Sequence, residues 1–394
     1  MPGKGFGILH RIKRLQAPTQ ARALALRPVL CLCLALSLCL GLGACLDPFA
    51  ATATTPGAKT AGPLAAPGPN DVPSVGTADA QQISAQSFHL DTLVTITIYD
   101  SDDRALFALV FEEIARLEAI LSATMPGSDP DRLAQNAGKS YIQVSEDTLF
   151  LIEQNAKFFA LSDGAFACTV GPLISLWGFR EAAGHYPTDE ELARALSLVD
   201  DGDLSIDTQN QVMLKRAGMQ VDFGASAKGY IADRVKDLLV SKGINRAMID
   251  LGGNIVLLGE KPGGTDFRIG LRDPMGSPAD YFGVFALSGK SLVSSGSYER
   301  FVVHEGIAYH HIIDAHTGLQ PTHDLLQVTI IADGSADADC FSTTAFILGL
   351  ERGFALVDQA EGIEGVFVTR GMEVYATDGA KDMFSITNHA YTLN

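Results

Sequence analysis

Basic residues are scarce in this chain. Only 29 Lys and Arg stand against 46 Asp and Glu, a formal charge of −17. Such a surface repels a phosphate backbone, which argues against nucleic acid as a partner. Cysteine is scarce as well. Of 6 cysteines, Cys31, Cys33 and Cys39 lie in one apolar run near the start, and only Cys45, Cys168 and Cys340 follow. If Cys45 is modified, one disulfide remains available, Cys168–Cys340, and two buried free thiols fit the sequence equally well. Tryptophan occurs once, at Trp177. There is no internal repeat and no heptad pattern, so neither a solenoid nor a coiled coil is expected. The run from Val29 to Leu42 is too short for a comfortable membrane span.

What is present near the start is an address. Lys4, Arg11, Lys13, Arg14, Arg22 and Arg27 precede or border that apolar run, and residues 1–44 contain no acid. A basic region followed by a short apolar one reads as a secretory signal. It ends in Leu42-Gly43-Ala44-Cys45, which resembles the lipobox of bacterial lipoproteins. That resemblance implies cleavage before Cys45, acylation of Cys45 and anchoring on the periplasmic side of the bacterial envelope. Residues 45–80 are rich in Ala, Thr, Pro and Gly and read as a flexible tether. Residues 81–394 are left as the folded domain.

Within that domain the pattern mixes strands and helices without strict alternation, which predicts an α+β fold. Leu93 to Tyr99 is β-branched and aromatic, hence a strand. Leu106, Leu109, Val110, Ile114, Leu117 and Leu121 recur at helical spacing. Residues 122–138 hold Pro126, Gly127 and Pro130 and read as a long loop. Thr148 to Leu161 reads as a helix, and Thr188 with Glu191 as a capping box that opens another. Further strands are expected at Ala247 to Leu251, Ile255 to Leu258, Phe267 to Leu271, Gly283 to Leu287, Leu326 to Ile331, Val366 to Thr369 and Glu373 to Ala376. A hairpin is expected about Glu305-Gly306, and a helix over Ala336 to Leu348.

The most informative stretch is Val221-Asp222-Phe223-Gly224-Ala225-Ser226-Ala227-Lys228-Gly229-Tyr230, read as strand, tight turn and helix start. Its small residues let a ligand approach the backbone, and N–H groups opening the helix would favour an anion such as phosphate. It is neither a P-loop nor a dinucleotide fingerprint. Asp339 and Thr343 lie four apart near the start of a helix and share a face. A carboxylate with a hydroxyl suits a hard cation such as Mg²⁺, while an acid and hydroxyls also serve simply to cap a helix. His310, His311 and His316 flank Asp314 and the Thr317-Gly318 turn. A histidine there can be a general base or a solvated loop residue. Trp177 can stack on a planar ring, or simply fill the core.

Taken in order, these pieces resemble the ApbE family, the Mg²⁺-dependent FAD:protein FMN transferases of the bacterial envelope. The matching stretches are Phe88-His-Leu-Asp91-Thr92, Ser128 to Leu133, Gly164-Ala-Phe166, Thr169 to Leu173, Leu176 to Phe179, Val221 to Tyr230 and Asp250 to Gly253. Ser295-Gly296, Tyr298 to Arg300, His311 to Asp314, Thr317-Gly318, and Ala338-Asp339 with Thr343 complete them. The resemblance implies mixed sheets with flanking helices and flavin in a cleft between two subdomains. It implies Mg²⁺ held by the Ala225 carbonyl, Asp339 and Thr343. It places FAD, the substrate, against Leu90, Thr124, Ala165, Phe166, Ala167 and Asp222, and it gives His311 the catalytic role. The implied reaction moves FMN onto a threonine of a target redox protein and releases AMP. A Mg²⁺-dependent FAD pyrophosphatase and a flavin-binding lipoprotein without turnover are the alternatives. The chain departs from the family pattern at Leu90 (usually Met), Ala167, Asn254 and Ser297 (usually Asp) and Ala315 (usually Pro).

Overall fold

A computed structural model describes residues 82–181 and 184–394. The signal expected over 1–44, Cys45 with its expected acylation and the tether expected over 45–80 lie outside the described residues. The fold is α+β, as expected, and its centre is a nine-stranded sheet. Strands β1 (Ile83–His89) and β2 (Thr92–Ile98) open it, and β6 (Ala247–Leu251) and β7 (Ile255–Leu258) follow. Next come β10 (Ser291–Gly296), β13 (Leu325–Ala332), β14 (Glu364–Thr369), β15 (Glu373–Ala376) and β17 (Thr392–Leu393). The spatial order is β1-β2-β6-β7-β10-β13-β14-β15-β17, with β15 and β17 parallel and the other neighbours antiparallel.

Strand β13 shows why the sheet is central. All its residues are buried, because both faces are covered. On one side lie β8 (Phe267–Arg272), β9 (Tyr281–Leu287) and β16 (Phe384–Ile386), a three-stranded sheet whose Phe282, Phe285 and Phe384 share a core with Ile331 and Val368. On the other side lies helix α7 (Ser335–Asp358), with Cys340, Ala345 and Phe346 packed on Val328 and Ile330. Each such large apolar side chain, fully buried, contributes roughly 1.5–3 kcal/mol. The polar members of β13 satisfy each other: Gln327 Nε2 donates to Thr329 Oγ1 at 3.0 Å.

Helices α1 (Ala105–Leu121) and α6 (Ala227–Ser241) share another core with β2 and β6, built on Ile96, Ile114, Leu117, Ile231, Val235 and Ile249. The predicted capping box is present at α5 (Asp189–Leu196). Helix α3 (Glu146–Leu161) begins two residues before the expected start, at a Ser145 cap. The long loop expected over 122–138 is corrected. It contains helix α2 (Asp129–Asn136), because Ser128 Oγ accepts the Asp131 N–H and Pro130 occupies the first turn, where a missing N–H costs nothing. Cys168 and Cys340 are free and buried.

Candidate active site

The sequence places chemistry at the ends of several elements, and the fold gathers those ends around one cavity of about 440 Å³. Its walls include the β1–β2 turn, the end of α1 with the loop to Met125, the 222–228 stretch, the end of β10, Glu299 and Arg300, residues 311–313 and one face of α7. Leu90, Thr124, Phe166, Ala167, Asp222, Ala225, His311, Asp339 and Thr343 all line it. Ala165 does not. It is buried behind the wall, where its carbonyl accepts the Ala315 N–H at 2.9 Å. A more open cavity of about 660 Å³ lies between residues 273–281 and 387–390. Its Asp273 is engaged within the protein, by Tyr391 Oη, the Met275 N–H and Asn388.

Helix α6 opens against α7. The backbone N–H of Gly229 donates to Asp339 Oδ2 at 2.8 Å. Tyr230 returns its N–H to Ser226 O at 3.2 Å in the ordinary helical way, but the N–H that would return to Ala225 O is the one Asp339 has taken. The Ala225 carbonyl is left without a backbone donor and lines the cavity. Ser226 and Ala227 turn their N–H groups back to Phe223 O. This corrects the expectation that the helix start offers its donors to an anion: three of them are used inside the protein.

The same capture assembles oxygen ligands. Asp339 is 4% exposed and one of its carboxylate oxygens takes no protein donor. Burial pushes its carboxyl above the ordinary range, against the pull of Lys228 and the Gly229 N–H. Thr343 Oγ1 lies one turn along α7, 3.1 Å from Ser295 Oγ. A carboxylate, a hydroxyl and a free carbonyl form a hard-oxygen set that fits Mg²⁺ with water and phosphate completing the shell. Among the described residues no group of three His, Cys, Asp or Glu could hold a metal, so a zinc-type site is absent there.

His311 lines the same cavity. Its backbone N–H and its Nδ1 approach the Arg300 carbonyl at 3.0 and 3.3 Å. A carbonyl only accepts, so Nδ1 carries the proton and Nε2 keeps its lone pair. Burial lowers the His311 pKa to about 4, so the ring is neutral near pH 7. His310, its neighbour, is 7% exposed, edge-on to Phe346 and without a partner for Nδ1, which makes it a core histidine. Trp177 is fully buried and donates Nε1–H to Gly318 O at 2.9 Å, so it too belongs to the core.

Several lining residues were not among the candidates read from the sequence. Lys228 is a cation whose charge acts on Asp339, and its place in the Ala227-Lys228-Gly229 motif was the available signal. Arg180 sits between Asp222 Oδ2, at 3.4 Å, and Asp91 Oδ2, at 3.8 Å. Arg300 reaches the same Asp91 oxygen at 3.6 Å. No spacing rule links these charges, because they come from three separate turns.

The ApbE family model matches residues 90–367. A protein of Klebsiella pneumoniae (strain 342) described as "FAD:protein FMN transferase" is 34% identical over 294 residues, 74% of this chain and 91% of that protein. One of the same description from Treponema pallidum (strain Nichols) is 33% identical over 338 residues, 81% of this chain and 93% of that protein. Among solved structures, the flavin transferase ApbE from Vibrio cholerae superposes with a TM-score of 0.70 at 27% identity, covering 77% of this chain and 99% of that one. The ApbE protein of Thermotoga maritima gives 0.71 at 30% identity, with coverages of 77% and 99%. With its match spanning 90–367 and its motifs gathered on one cavity, the chain belongs to the ApbE family.

Proposed function

We propose that this protein transfers FMN from FAD to a threonine hydroxyl of a target redox protein and releases AMP. The observation that carries the reading is the placement of Ala225, Asp339, Thr343 and His311 around one cavity, with His311 Nε2 left free. Asp339, Thr343 and the Ala225 carbonyl would hold Mg²⁺. When bound, that ion supplies charge neutralisation at the pyrophosphate. His311 Nε2 accepts the threonine proton as the hydroxyl oxygen forms its bond to the FMN phosphorus. The bond from that phosphorus to the bridging oxygen breaks, and AMP carries the oxygen away. Lys228 adds positive charge beside Asp339. Leu90, Thr124, Phe166, Ala167 and Asp222 would contact FAD, with Ala165 behind them. The names of the relatives support FAD as substrate and a protein as acceptor.

We place the protein on the periplasmic side of the membrane, anchored through an acylated Cys45, on the strength of the basic, apolar and small-residue pattern before it. Incubation with FAD, Mg²⁺ and a candidate acceptor tests the reaction. AMP with FMN on the acceptor supports transfer. AMP with free FMN makes the protein a pyrophosphatase, and unchanged FAD makes it a binder.

A further inference from the structure

The β1–β2 connection breaks a local rule. His89 pairs with Thr92, so Leu90 and Asp91 form a two-residue hairpin loop. Both have left-handed backbones, with φ of 54° and 58°. Such loops favour Asn-Gly or Gly-Gly, because a side chain at positive φ is strained. Leucine is among the poorer choices there, and strain of this kind persists only where the surroundings impose it.

The surroundings here can be named. Glu118, near the end of α1, directs both carboxylate oxygens at this tip. Oε1 accepts the Leu90 N–H at 2.8 Å, and Oε2 lies 3.3 Å from His89 Nδ1. Just past the tip, Thr92 at the start of β2 packs on the bare backbone of Gly252, where a Cβ would run into Thr92 Oγ1. The loop is thus held by a carboxylate clamp at Leu90 and by close packing at Thr92, and Leu90, Asp91 and Glu118 all line the cavity.

We propose that Glu118 is a positioning residue for FAD binding: it holds the Leu90–Asp91 tip in its left-handed form, which sets Leu90 in the cavity wall and Asp91 against Arg180 and Arg300. The inference rests on the FAD reading above. It assigns Glu118 no contact with the reacting atoms. A clamp of this kind acts on the ground state, so its loss raises KM for FAD and leaves kcat nearly unchanged.

The test is equilibrium FAD binding in the presence of Mg²⁺, by flavin fluorescence, on the full chain. Glu118→Ala is expected to weaken binding about tenfold, the order of a lost charge-assisted hydrogen bond. Glu118→Gln, whose side-chain oxygen still accepts the Leu90 N–H, is expected to recover most of that loss. Leu90→Gly removes the backbone strain, so Glu118→Ala should cost far less in that background. Equal binding by wild type and Glu118→Ala, or additive losses in the double variant, overturns the inference alone. A parallel fall in kcat also overturns it. A wild type that takes up no FAD ends the reading beneath it. If Glu118→Ala does not fold, the Glu118→Gln and Leu90→Gly pair decides by the same coupling.

Discussion

The Gly229 N–H donates to Asp339 Oδ2 across 2.8 Å, joining the first turn of α6 to the second turn of α7. The contact needs a residue without a side chain. A Cβ on Gly229 would meet Ser335 O at 2.2 Å and Asp339 Cβ at 2.7 Å. One hydrogen bond thus fixes the distance between the helices, orients the carboxylate and frees the Ala225 carbonyl.

Gly229→Ala is accordingly expected to force the helices apart. Overpacking of this kind costs about 1–3 kcal/mol. The melting temperature should fall, and transfer should require more Mg²⁺ to reach half its maximum. A variant with wild-type melting and an unchanged Mg²⁺ requirement would show that the helix junction does not set the metal site.

Asp339→Ala should reduce transfer by orders of magnitude, since the bound cation is worth several kcal/mol of transition-state charge stabilisation. Thr343→Val, which keeps the volume and drops the hydroxyl, should weaken Mg²⁺ binding by about tenfold. Calorimetric Mg²⁺ titration in the presence of FAD reads both. Wild-type turnover in excess EDTA would remove the metal from the scheme.

His311→Asn is expected to lose about a hundred- to ten-thousand-fold in transfer rate while keeping FAD affinity. His310→Leu should retain the rate, because His310 packs on Phe346 and leaves Nδ1 unpaired. The assignment fails if His310→Leu abolishes transfer, or if His311→Asn loses FAD binding along with activity.

The two histidines also predict a pH profile. Burial lowers both to about 4, below the ordinary 6.5. A lowered histidine favours the fold while neutral. Its contribution is complete above pH 6.5 and is lost as pH falls toward about 4. Denaturant unfolding should therefore show stability declining across that window, and His310→Leu should flatten the decline. The rate should likewise hold through pH 6.5 and fall near 4. A fall that moves with Mg²⁺ concentration would instead report protonation of Asp339, whose carboxyl burial raises.

Cys45→Ser should move the protein from the membrane to the soluble periplasmic fraction. Fractionation checks this, and a variant that stays membrane-bound and is processed as before contradicts the lipid anchor.

The sequence by itself determined what short-range interactions decide. A run of β-branched residues made β2, helical spacing made α1, and Thr188 with Glu191 made the start of α5. The spacing of Asp339 and Thr343 put them on one face of α7, and the order of motifs carried the family. One local signal was misread: Pro130 looked like a breaker, yet it stands in the first turn of α2, where proline is tolerated. The tertiary structure alone decided how the site closes. Gly229 meets Asp339 across 110 positions, Leu90 meets Glu118 across 28, and Arg300 holds His311 across a hairpin. It also made His310 a core residue and left Cys168 and Cys340 as separate thiols. These contacts are hydrogen bonds and close approaches between distant elements. Periodicity and caps fix only where each element starts and which face it buries, so the partner at each contact appears only once the sheet and helices have packed.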